Sequence, residues 1–253
     1  MSCPICHSAT EKAFEARILE KYVVQYFLCQ GCGLLQTEKP YWLDEAYSRA
    51  IADSDTGLVQ RNLYLSRVLS SLLFFLFERD GKYLDVAGGY GLLTRLMRDY
   101  GFEYFWVDKY CTNLFAKDFS VSDTKPPFTA LSLFEVLEHI DDPLSFLSGI
   151  LAENGTKTVI FSTFLFEGAP PKPDEWWYYA LKDGQHISFY QIKTLKRIAR
   201  ELGLNLYSNN TNLHMITDKK PTEGIYRILT GPLSRLIWLY VRKRMLPKTT
   251  SAL

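Results

Sequence analysis

The fold is decided by the stretch Lys82-Tyr-Leu-Asp85-Val-Ala-Gly88-Gly89-Tyr-Gly91-Leu-Leu-Thr-Arg-Leu-Met. A short apolar run ends in an acid, a glycine-rich turn follows, and an apolar pattern with helical spacing comes next. This order predicts a strand, a tight turn and a helix, the opening of a nucleotide-binding βαβ unit. A dinucleotide site is disfavoured because the third glycine of a Gly-x-Gly-x-x-Gly loop is missing. Asp85 would also place a negative charge beside a pyrophosphate.

A second acid, Asp108, ends the apolar run Phe105-Trp-Val. Together with Asp85, Gly89 and Gly91 it resembles the class I S-adenosylmethionine (SAM) methyltransferases, although Ala87 stands where that family has its first loop glycine. The resemblance implies an α/β fold, with a Rossmann-like seven-stranded sheet and helices on both faces. It also implies that Asp85 and the loop hold the methionine end of SAM, and that Asp108 accepts hydrogen bonds from both ribose hydroxyls. The residues expected to bind SAM are Asp85, Ala87, Gly88, Gly89, Gly91, Asp108, Lys109, Asp118, Phe119, Phe134 and Glu135.

Later segments follow the order of the same family. The continuous apolar run at 128–133 predicts a buried parallel strand. The next segment, Phe134-Glu135-Val-Leu-Glu138-His139, resembles the E-x-x-E-H segment of many small-molecule methyltransferases. Further strands are predicted at 157–162, 204–208 and 213–217, and a helix at 194–202. The third strand of the family is hard to place, and only 118–121 offers a short candidate.

Two histidines are the candidate catalytic bases. Methyl transfer is an in-line displacement at a sulfonium methyl, so the enzyme aligns the acceptor, excludes water and often removes a proton. Histidine titrates near neutral pH, which suits His186 and His139 to that task. Glu135 and Glu138 are alternatives. For each histidine, the other interpretation is a hydrogen-bonded residue in a helix cap.

The segment 164–179 combines prolines, acids and aromatic residues. Long loops beyond strand ends often carry function, and aromatic faces can stack on a sugar or wall off water. We therefore expect Trp176, Trp177 and Tyr178, with His186, to contact the substrate. The alternative is that these rings only pack the loop onto the domain.

The N-terminus carries two Cys-x-x-Cys pairs, Cys3/Cys6 and Cys29/Cys32, about 22 residues apart. Two such pairs supply the tetrahedral sulfur set that zinc prefers, so a zinc ribbon with a hairpin within 14–28 is predicted. Disulfides are the alternative, but no signal peptide precedes Cys3 and a reducing cytoplasm is expected. Four thiolates leave no open position, so the zinc is assigned a structural role. Cys111 is expected to be a packed residue.

Composition and patterning divide the chain of 253 residues into four parts. These are a zinc ribbon at 1–39, a helical connector or lid at 40–80, a SAM-binding domain at 81–220 and a basic amphipathic tail at 221–253. The connector predicts helices at 41–52 and 58–77. One interpretation places Tyr47 and Arg61 near the SAM carboxylate, and the other makes Arg61 a surface residue of a helix that packs on the sheet. Hydrophobic residues make up 47% and charged residues 23%, as in a folded soluble protein.

The tail mixes large apolar residues with cations that no acid opposes after Glu223. Such a segment can lie in a membrane interface with Trp238 and Tyr240 at headgroup depth. It can equally pack on the core or form a dimer contact. The expected location is therefore the cytoplasm, with peripheral contact at the inner face of the membrane as one option.

The layout is similar to ribbon-bearing methyltransferases of sugar and polysaccharide biosynthesis. The resemblance implies O-methylation of a sugar, a sugar nucleotide or a lipid-linked saccharide. An RNA-modifying enzyme that grips RNA with the ribbon is one alternative, although the net charge of +1 gives no general attraction to nucleic acid. The other alternative is a non-catalytic SAM-binding scaffold.

Overall fold

The computed structural model describes residues 2–47 and 56–248. Its central sheet has six strands: β4 (Lys82–Val86), β5 (Glu103–Val107), β6 (Ala130–Leu133), β7 (Val159–Ser162), β9 (Asn205–Ser208) and β10 (Leu213–Thr217). Their order is β5-β4-β6-β7-β10-β9. The first four of these run parallel, and β10 is antiparallel to both β7 and β9. The predicted strands at 128–133, 157–162, 204–208 and 213–217 are therefore present.

The predicted count of seven strands is wrong for the described residues, because the third strand does not form. Ser120 makes only an isolated bridge to Trp106 at the edge of the sheet. A 3₁₀ turn at Val121–Asp123 follows at once, closed by reciprocal bonds between Ser120 and Asp123. Polar residues that cap their own backbone end the extended segment before it can build a ladder.

Helices cover both faces of the sheet, as predicted: α2 (Leu58–Leu76), α3 (Leu92–Asp99), α4 (Pro143–Glu153), α5 (Ile192–Glu201), α6 (Glu223–Thr230) and α7 (Ser234–Arg244). Successive strand residues alternate between the faces. Leu84 and Leu131 pack in the core that includes α4 and α5, whereas Tyr83 and Ala130 pack with α2, α3, α6 and α7.

The N-terminal sheet contains β1 (Thr10–Ile18), β2 (Tyr22–Cys29), β3 (Leu35–Thr37) and β8 (Ser188–Phe189), in that order. Strands β1 and β2 form the predicted antiparallel hairpin. Strand β3 pairs with β8, which comes from the later part of the chain. The Thr194 hydroxyl at the start of α5 also donates to the carbonyl of Cys32 at 2.8 Å. The division of the chain at residue 39 stays a prediction, but the sheet itself continues across it.

The connector contains the short helix α1 (Leu43–Ala46) and the long helix α2. The rest of the helix predicted at 41–52 lies mostly in 48–55, outside the described residues. In the tail, α6 and α7 pack against α2, with Tyr226 and Val241 almost fully buried. No helix in the described ranges is both long and apolar enough to span a bilayer.

Candidate functional site

The glycine loop leaves the carboxyl end of β4 and enters α3 at Leu92. Ala87, Gly89 and Gly91 all adopt positive φ, at 56°, 54° and 84°. A Cβ on Gly88 would lie 2.7 Å from both the Asp85 carboxylate and the Trp106 ring. The backbone is therefore tightly folded over Asp85, and the first turn of α3 points unpaired N–H groups toward the loop. Such a cradle suits a nucleoside ligand held by backbone contacts.

Asp85 lies beneath this loop, only 3% exposed. The Ser132 hydroxyl donates to its carboxylate at 2.6 Å, and the Thr94 hydroxyl donates at 3.4 Å. Burial raises the pKa of Asp85 to about 7, and the two hydroxyls offset only part of that effect. Asp85 thus anchors the loop to β6 and α3. Its predicted contact with the methionine end of SAM stays a prediction.

Asp108 follows β5 at the same sheet edge and is half-buried. Its Oδ2 accepts from the Gly89 N–H at 2.9 Å, and its Oδ1 accepts from the N–H groups of Tyr110 and Cys111, each at 2.7 Å. These bonds fix the carboxylate against the glycine loop. Carboxylate oxygens can accept further donors, so this geometry fits the predicted bond to ribose hydroxyls.

The other residues expected to bind SAM lie around this edge. Lys109 and Asp118 are exposed, whereas Phe134 is half-buried. Phe119 lies under the Arg98 guanidinium, 3.6 Å from the ring centroid. Glu135 has φ of 56°, and the Ser162 hydroxyl donates to its carboxylate at 2.7 Å. Nε of Arg61 lies 3.9 Å from the second carboxylate oxygen of Glu135, and the two residues form an ion pair at the site.

His139 and His186 meet at this edge, with perpendicular rings 4.8 Å apart. Nδ1 of His186 lies 2.6 Å from the Tyr178 carbonyl, and Nδ1 of His139 lies 3.1 Å from the Gln185 carbonyl. A carbonyl can only accept, so Nδ1 of His186 carries the hydrogen and its Nε2 is left with a lone pair. Nδ1 of His139 also has the Tyr47 hydroxyl at 2.9 Å, and a hydrogen on this nitrogen can be donated to either oxygen. Desolvation lowers the pKa of His186 to about 4 and that of His139 to about 3. Both rings are therefore neutral near pH 7.

Glu138 is the neighbour that the sequence prediction named only as an alternative. It is 0% exposed, and neither carboxylate oxygen has a hydrogen-bond partner among the described residues. Burial raises its pKa well above the ordinary value, the charge of Glu135 adds to this, and the nearby Tyr178 hydroxyl offsets only part. One ligand atom from each of Glu138, His139 and His186 lies within 4.8 Å of the others.

Tyr47 and Tyr110 form an aromatic stack beside the histidines that the sequence did not indicate. Tyr47, at the end of α1, stacks on Tyr110 with ring centroids 5.6 Å apart, and its hydroxyl lies 2.9 Å from Nδ1 of His139. Tyr47 was expected near the SAM carboxylate, and nothing in the pattern around Tyr110 marked it. Tyr110 is 64% exposed, so the stack presents an aromatic surface beside the histidines.

The predicted substrate-binding aromatics divide into two groups. Tyr178 is fully buried, and Trp176 packs against Tyr179 and Phe189 in a core shared with the N-terminal sheet. Trp177 is 71% exposed and available to a ligand. Packing accounts for the first two rings, and a substrate contact by any of the three stays a prediction.

The four N-terminal sulfurs lie together. Cys3 and Cys32 have sulfurs 3.5 Å apart, those of Cys6 and Cys29 are 3.3 Å apart, and all four lie within 4.8 Å of one another. The Cys32 N–H donates to the Cys29 sulfur at 3.4 Å, which closes the second turn. A zinc ion with Zn–S bonds of about 2.3 Å needs sulfurs roughly 3.8 Å apart. The cluster therefore fits the predicted ion.

A surface groove of about 470 Å³ lies elsewhere, beside α5 and β9, lined by residues such as Lys196, Arg200 and Tyr207. It contains none of the residues described above. The chemistry therefore concentrates at the carboxyl edge rather than at this groove.

Comparisons with known proteins give a family. A family described as a methyltransferase domain matches residues 59–209. Among solved structures, TnmH is 18% identical with a TM-score of 0.49, covering 72% of this chain and 62% of its own. CalO1, a methyltransferase in calicheamicin biosynthesis in its SAH-bound form, is 15% identical with a TM-score of 0.45, covering 70% and 61%. No curated protein sequence matches.

A third solved structure is an O-methyltransferase family 2 protein from Planctomyces limnophilus in complex with apigenin. It is 15% identical with a TM-score of 0.44, covering 70% of this chain and 65% of its own. The chain thus spans about three fifths of the length of these proteins. The match over 59–209 covers more than half of the sequence, and it contains the glycine loop, Asp108 and both histidines. The chain belongs to the methyltransferase-domain family.

Proposed function

We propose that the protein methylates a hydroxyl group of a sugar, a sugar nucleotide or a lipid-linked saccharide. The observation that carries this proposal is the histidine pair, whose Nε2 lone pairs lie at the same sheet edge as Asp108. A hydroxyl acceptor must lose its proton when the oxygen takes the methyl group, and such a hydroxyl is only weakly acidic. Two neutral imidazoles are suited to activating such a group.

Bound SAM would supply a methyl group on a positively charged sulfur. Gly89 and Gly91 would contact it through their backbone, and Asp108 would accept from its ribose hydroxyls. His186 and His139 would face the acceptor oxygen. Glu135, fixed by Ser162 and Arg61, would orient groups between them.

The saccharide preference rests on two features. One is the resemblance in layout to ribbon-bearing enzymes of sugar and polysaccharide biosynthesis. The other is the set of exposed aromatic faces, Trp177 and Tyr110, which suit the apolar face of a sugar ring. The N-terminal sheet does not favour RNA as the substrate. Two of its lysines, Lys12 and Lys21, form ion pairs with Glu15 and Glu45.

We also propose a structural zinc ion at Cys3, Cys6, Cys29 and Cys32. The sulfur spacing supports it, and so does the burial of three of the four cysteines. The zinc would fix the turn that carries Cys32, whose carbonyl accepts from Thr194. Its role would then be to hold the N-terminal sheet against α5 and β8, and thereby the loop that carries His186.

Calorimetric titration with SAM tests the binding half of this proposal, with NAD as the control ligand. The wild-type protein is expected to bind SAM and not NAD. Asp108→Ala removes the carboxylate that is expected to accept from the ribose hydroxyls, so SAM binding is expected to weaken at least tenfold. Equal affinity in a folded Asp108→Ala variant would contradict the assigned role.

Turnover with a panel of saccharide acceptors tests the other half, with a short RNA added to the panel. His186→Ala is expected to keep its SAM affinity and to lose at least tenfold in turnover. His214→Asn is the matched control, because His214 is also buried but bonds Ser208 and Thr163 away from the site. Unchanged turnover in His186→Ala, or transfer to RNA alone, would refute the proposal.

We further propose that α6 and α7 contact an anionic lipid surface. Ile225 and Ile228 lie three positions apart on α6, and Leu236, Leu239 and Tyr240 repeat that spacing on α7; all are 46–64% exposed. Arg235, Arg242, Lys243 and Arg244 surround them with no acid after Glu223. An exposed apolar stripe flanked by cations matches the interface of an anionic bilayer.

Flotation with vesicles separates this proposal from simple packing. Removing the whole tail would also remove buried Tyr226 and Val241, so exposed residues are the better targets. Full-length protein is expected to float with vesicles containing phosphatidylglycerol and not with phosphatidylcholine alone. Replacement of Ile228 and Leu236 by Ser is expected to abolish flotation; equal flotation of both proteins would refute the lipid contact.

A further inference from the structure

Glu138 has a completely buried carboxylate that no described residue satisfies by a hydrogen bond. By contrast, Asp85 is also buried but receives two hydroxyl donors. A buried carboxylate without partners is strongly unfavourable unless another charge compensates it. The charge of Arg61 is the smallest of the effects that favour the ionised carboxylate, so a cation bound directly by Glu138 would satisfy oxygens that Arg61 does not.

The two histidines beside Glu138 are held as metal ligands usually are. Each Nδ1 is directed to a backbone carbonyl, of Tyr178 for His186 and of Gln185 for His139. Such a bond on the second ring nitrogen fixes the tautomer and leaves Nε2 free to coordinate. The perpendicular contact at 4.8 Å brings both rings to one point.

We infer that Glu138, His139 and His186 bind a divalent transition-metal ion. Their ligand atoms lie within 4.8 Å of one another. A metal about 2.1 Å from each would need them roughly 3–3.5 Å apart, so small side-chain movements would complete the site. Two imidazoles and one carboxylate are a donor set for ions such as Mn²⁺, Fe²⁺ or Zn²⁺, and three protein ligands leave positions open.

This site differs in kind from the four-cysteine cluster. The cysteines offer only sulfur, and four of them close the coordination shell of zinc. Glu138 and the histidines offer only oxygen and nitrogen, and they lie at the sheet edge that carries Asp108. The first would hold a structural ion and the second an exchangeable one that is open to a ligand.

The open coordination positions of the ion could bind the acceptor of the methyl group, an inference that rests on the proposed function. An acceptor hydroxyl oxygen that takes one of them becomes more acidic, because the cation stabilises its anion. Its O–H proton then leaves to water, and the oxygen electron pair forms the new bond to the methyl carbon of SAM. The electron pair of the broken carbon–sulfur bond stays on sulfur. The histidines would thus act on the acceptor as ligands of the ion rather than as bases.

Mn²⁺ is the probe that separates the two clusters, since it prefers oxygen and nitrogen over thiolate. The full-length protein, with its zinc content verified, would be freed of exchangeable metal and titrated with Mn²⁺ by electron paramagnetic resonance. One bound Mn²⁺ per chain is expected. Glu138→Gln and His186→Ala are each expected to weaken it at least tenfold, while His214→Asn leaves it unchanged.

The outcomes distinguish the metal site from the proposed function. No Mn²⁺ binding, or equal binding in all four proteins, would overturn the metal site, and with it the idea that a cation compensates Glu138. Bound Mn²⁺ without methyl transfer to any acceptor would keep the site and remove the proposed function. Full turnover in protein without exchangeable metal would keep the methyl transfer and overturn the metal's role. If His186→Ala fails to fold, the isosteric Glu138→Gln variant alone decides the site.

Discussion

The four-cysteine cluster and the cluster of Glu138, His139 and His186 are two candidate metal sites of opposite origin. The first is visible in the sequence, because each Cys-x-x-Cys pair places two sulfurs on one tight turn. The second has only Glu138 and His139 adjacent, and His186 joins them from beyond the aromatic loop. The Cys29 sulfur accepts a hydrogen bond from the Cys32 N–H, whereas the oxygens of Glu138 make no hydrogen bond within the described residues. The spacing of the cysteines therefore predicts the first site, which would stabilise the fold. Only tertiary packing brings the second site together, and it does so by burying the Glu138 carboxylate at a cost in stability.

Loss of a cysteine should have the largest effect. Cys29 is 0% exposed, and Cys29→Ser would break the proposed zinc site. Structural zinc contributes on the order of 10 kcal/mol in isolated zinc modules, comparable with the whole stability of a domain. We expect zinc to fall below one per chain and the melting temperature to fall by more than about 10 °C. Zinc analysis and thermal denaturation measure both.

Cys111→Ser is the matched control, since Cys111 is the one cysteine outside the cluster. It should keep its zinc and nearly the same melting temperature. A Cys29→Ser protein with full zinc content and unchanged melting would remove the contrast between the two clusters.

Asp85 is a second buried carboxylate, and unlike Glu138 it accepts hydrogen bonds from two hydroxyls. The variant Asp85→Asn therefore tests how burial affects a carboxylate that does have partners. Burial raises the pKa of Asp85 from 3.8 to about 7. The folded state therefore holds this proton more tightly than the unfolded state, and the buried charge lowers stability above pH 7. As pH falls from about 7 toward 4, this group should add up to about 4 kcal/mol to the free energy of unfolding.

The measurement is urea unfolding of wild type and Asp85→Asn from pH 8 to pH 5.5, on protein of verified zinc content. The difference between the two curves isolates Asp85, and it should be largest at pH 8, where Asp85→Asn is the more stable. A constant difference across that range would mean that Asp85 keeps an ordinary pKa.

Glu138→Gln should stabilise the protein in the absence of exchangeable metal, by about 1–2 kcal/mol, because folding otherwise either buries a charge or takes up a proton at this carboxyl. With excess Mn²⁺ present, the order should reverse, since only the wild type gains stability from binding. Thermal denaturation with and without Mn²⁺ checks this. Glu153→Gln, on an exposed carboxylate of α4, should change neither value. A destabilised Glu138→Gln protein under metal-free conditions would show that the carboxylate supports the fold.

Ala87→Gly should have the smallest effect. Ala87 has φ of 56°, a left-handed conformation that disfavours any side chain by about 1 kcal/mol. Glycine relieves this strain but also makes the unfolded chain more flexible, so the net gain should stay below about 1 kcal/mol. Ala180→Gly, at φ of 46° in the aromatic segment, is the matched control. Both should melt slightly higher, and only Ala87→Gly should change SAM affinity; a less stable Ala87→Gly protein would contradict the strain argument.

Much of the fold could be predicted because its signals are local. The run from Lys82 into the glycine loop, the β1–β2 hairpin and the order of later strands all appear as expected. The seventh strand failed because Ser120 and Asp123 cap their own backbone, a competition that a short apolar pattern does not reveal. Strand β8 was also missed, because two residues carry no periodicity and pair only through tertiary contact with β3.

The site was predicted in its parts but not in its arrangement. The sequence indicated Asp108, Glu135 and His139 by their places after strands, where parallel sheets bring loops together. It indicated His186 by its place between the aromatic loop and a predicted helix. It did not indicate that Tyr178 is fully buried and Trp176 partly buried against the N-terminal sheet, because aromatic residues suit packing and binding equally. The Tyr47–Tyr110 stack joins the connector to the residue after β5, and no local pattern links the two.

By itself, the sequence determined the strand–loop–helix unit, the acids at the strand ends and the cysteine turns, since each depends on residues a few positions apart. Only the tertiary structure decided that β8 completes the N-terminal sheet, that His186 meets His139, and that Glu138 is buried without a hydrogen bond from any residue of 2–47 or 56–248. The physical reason is that backbone turns and caps are set by neighbouring residues, whereas desolvation and convergence depend on what the rest of the chain packs against them.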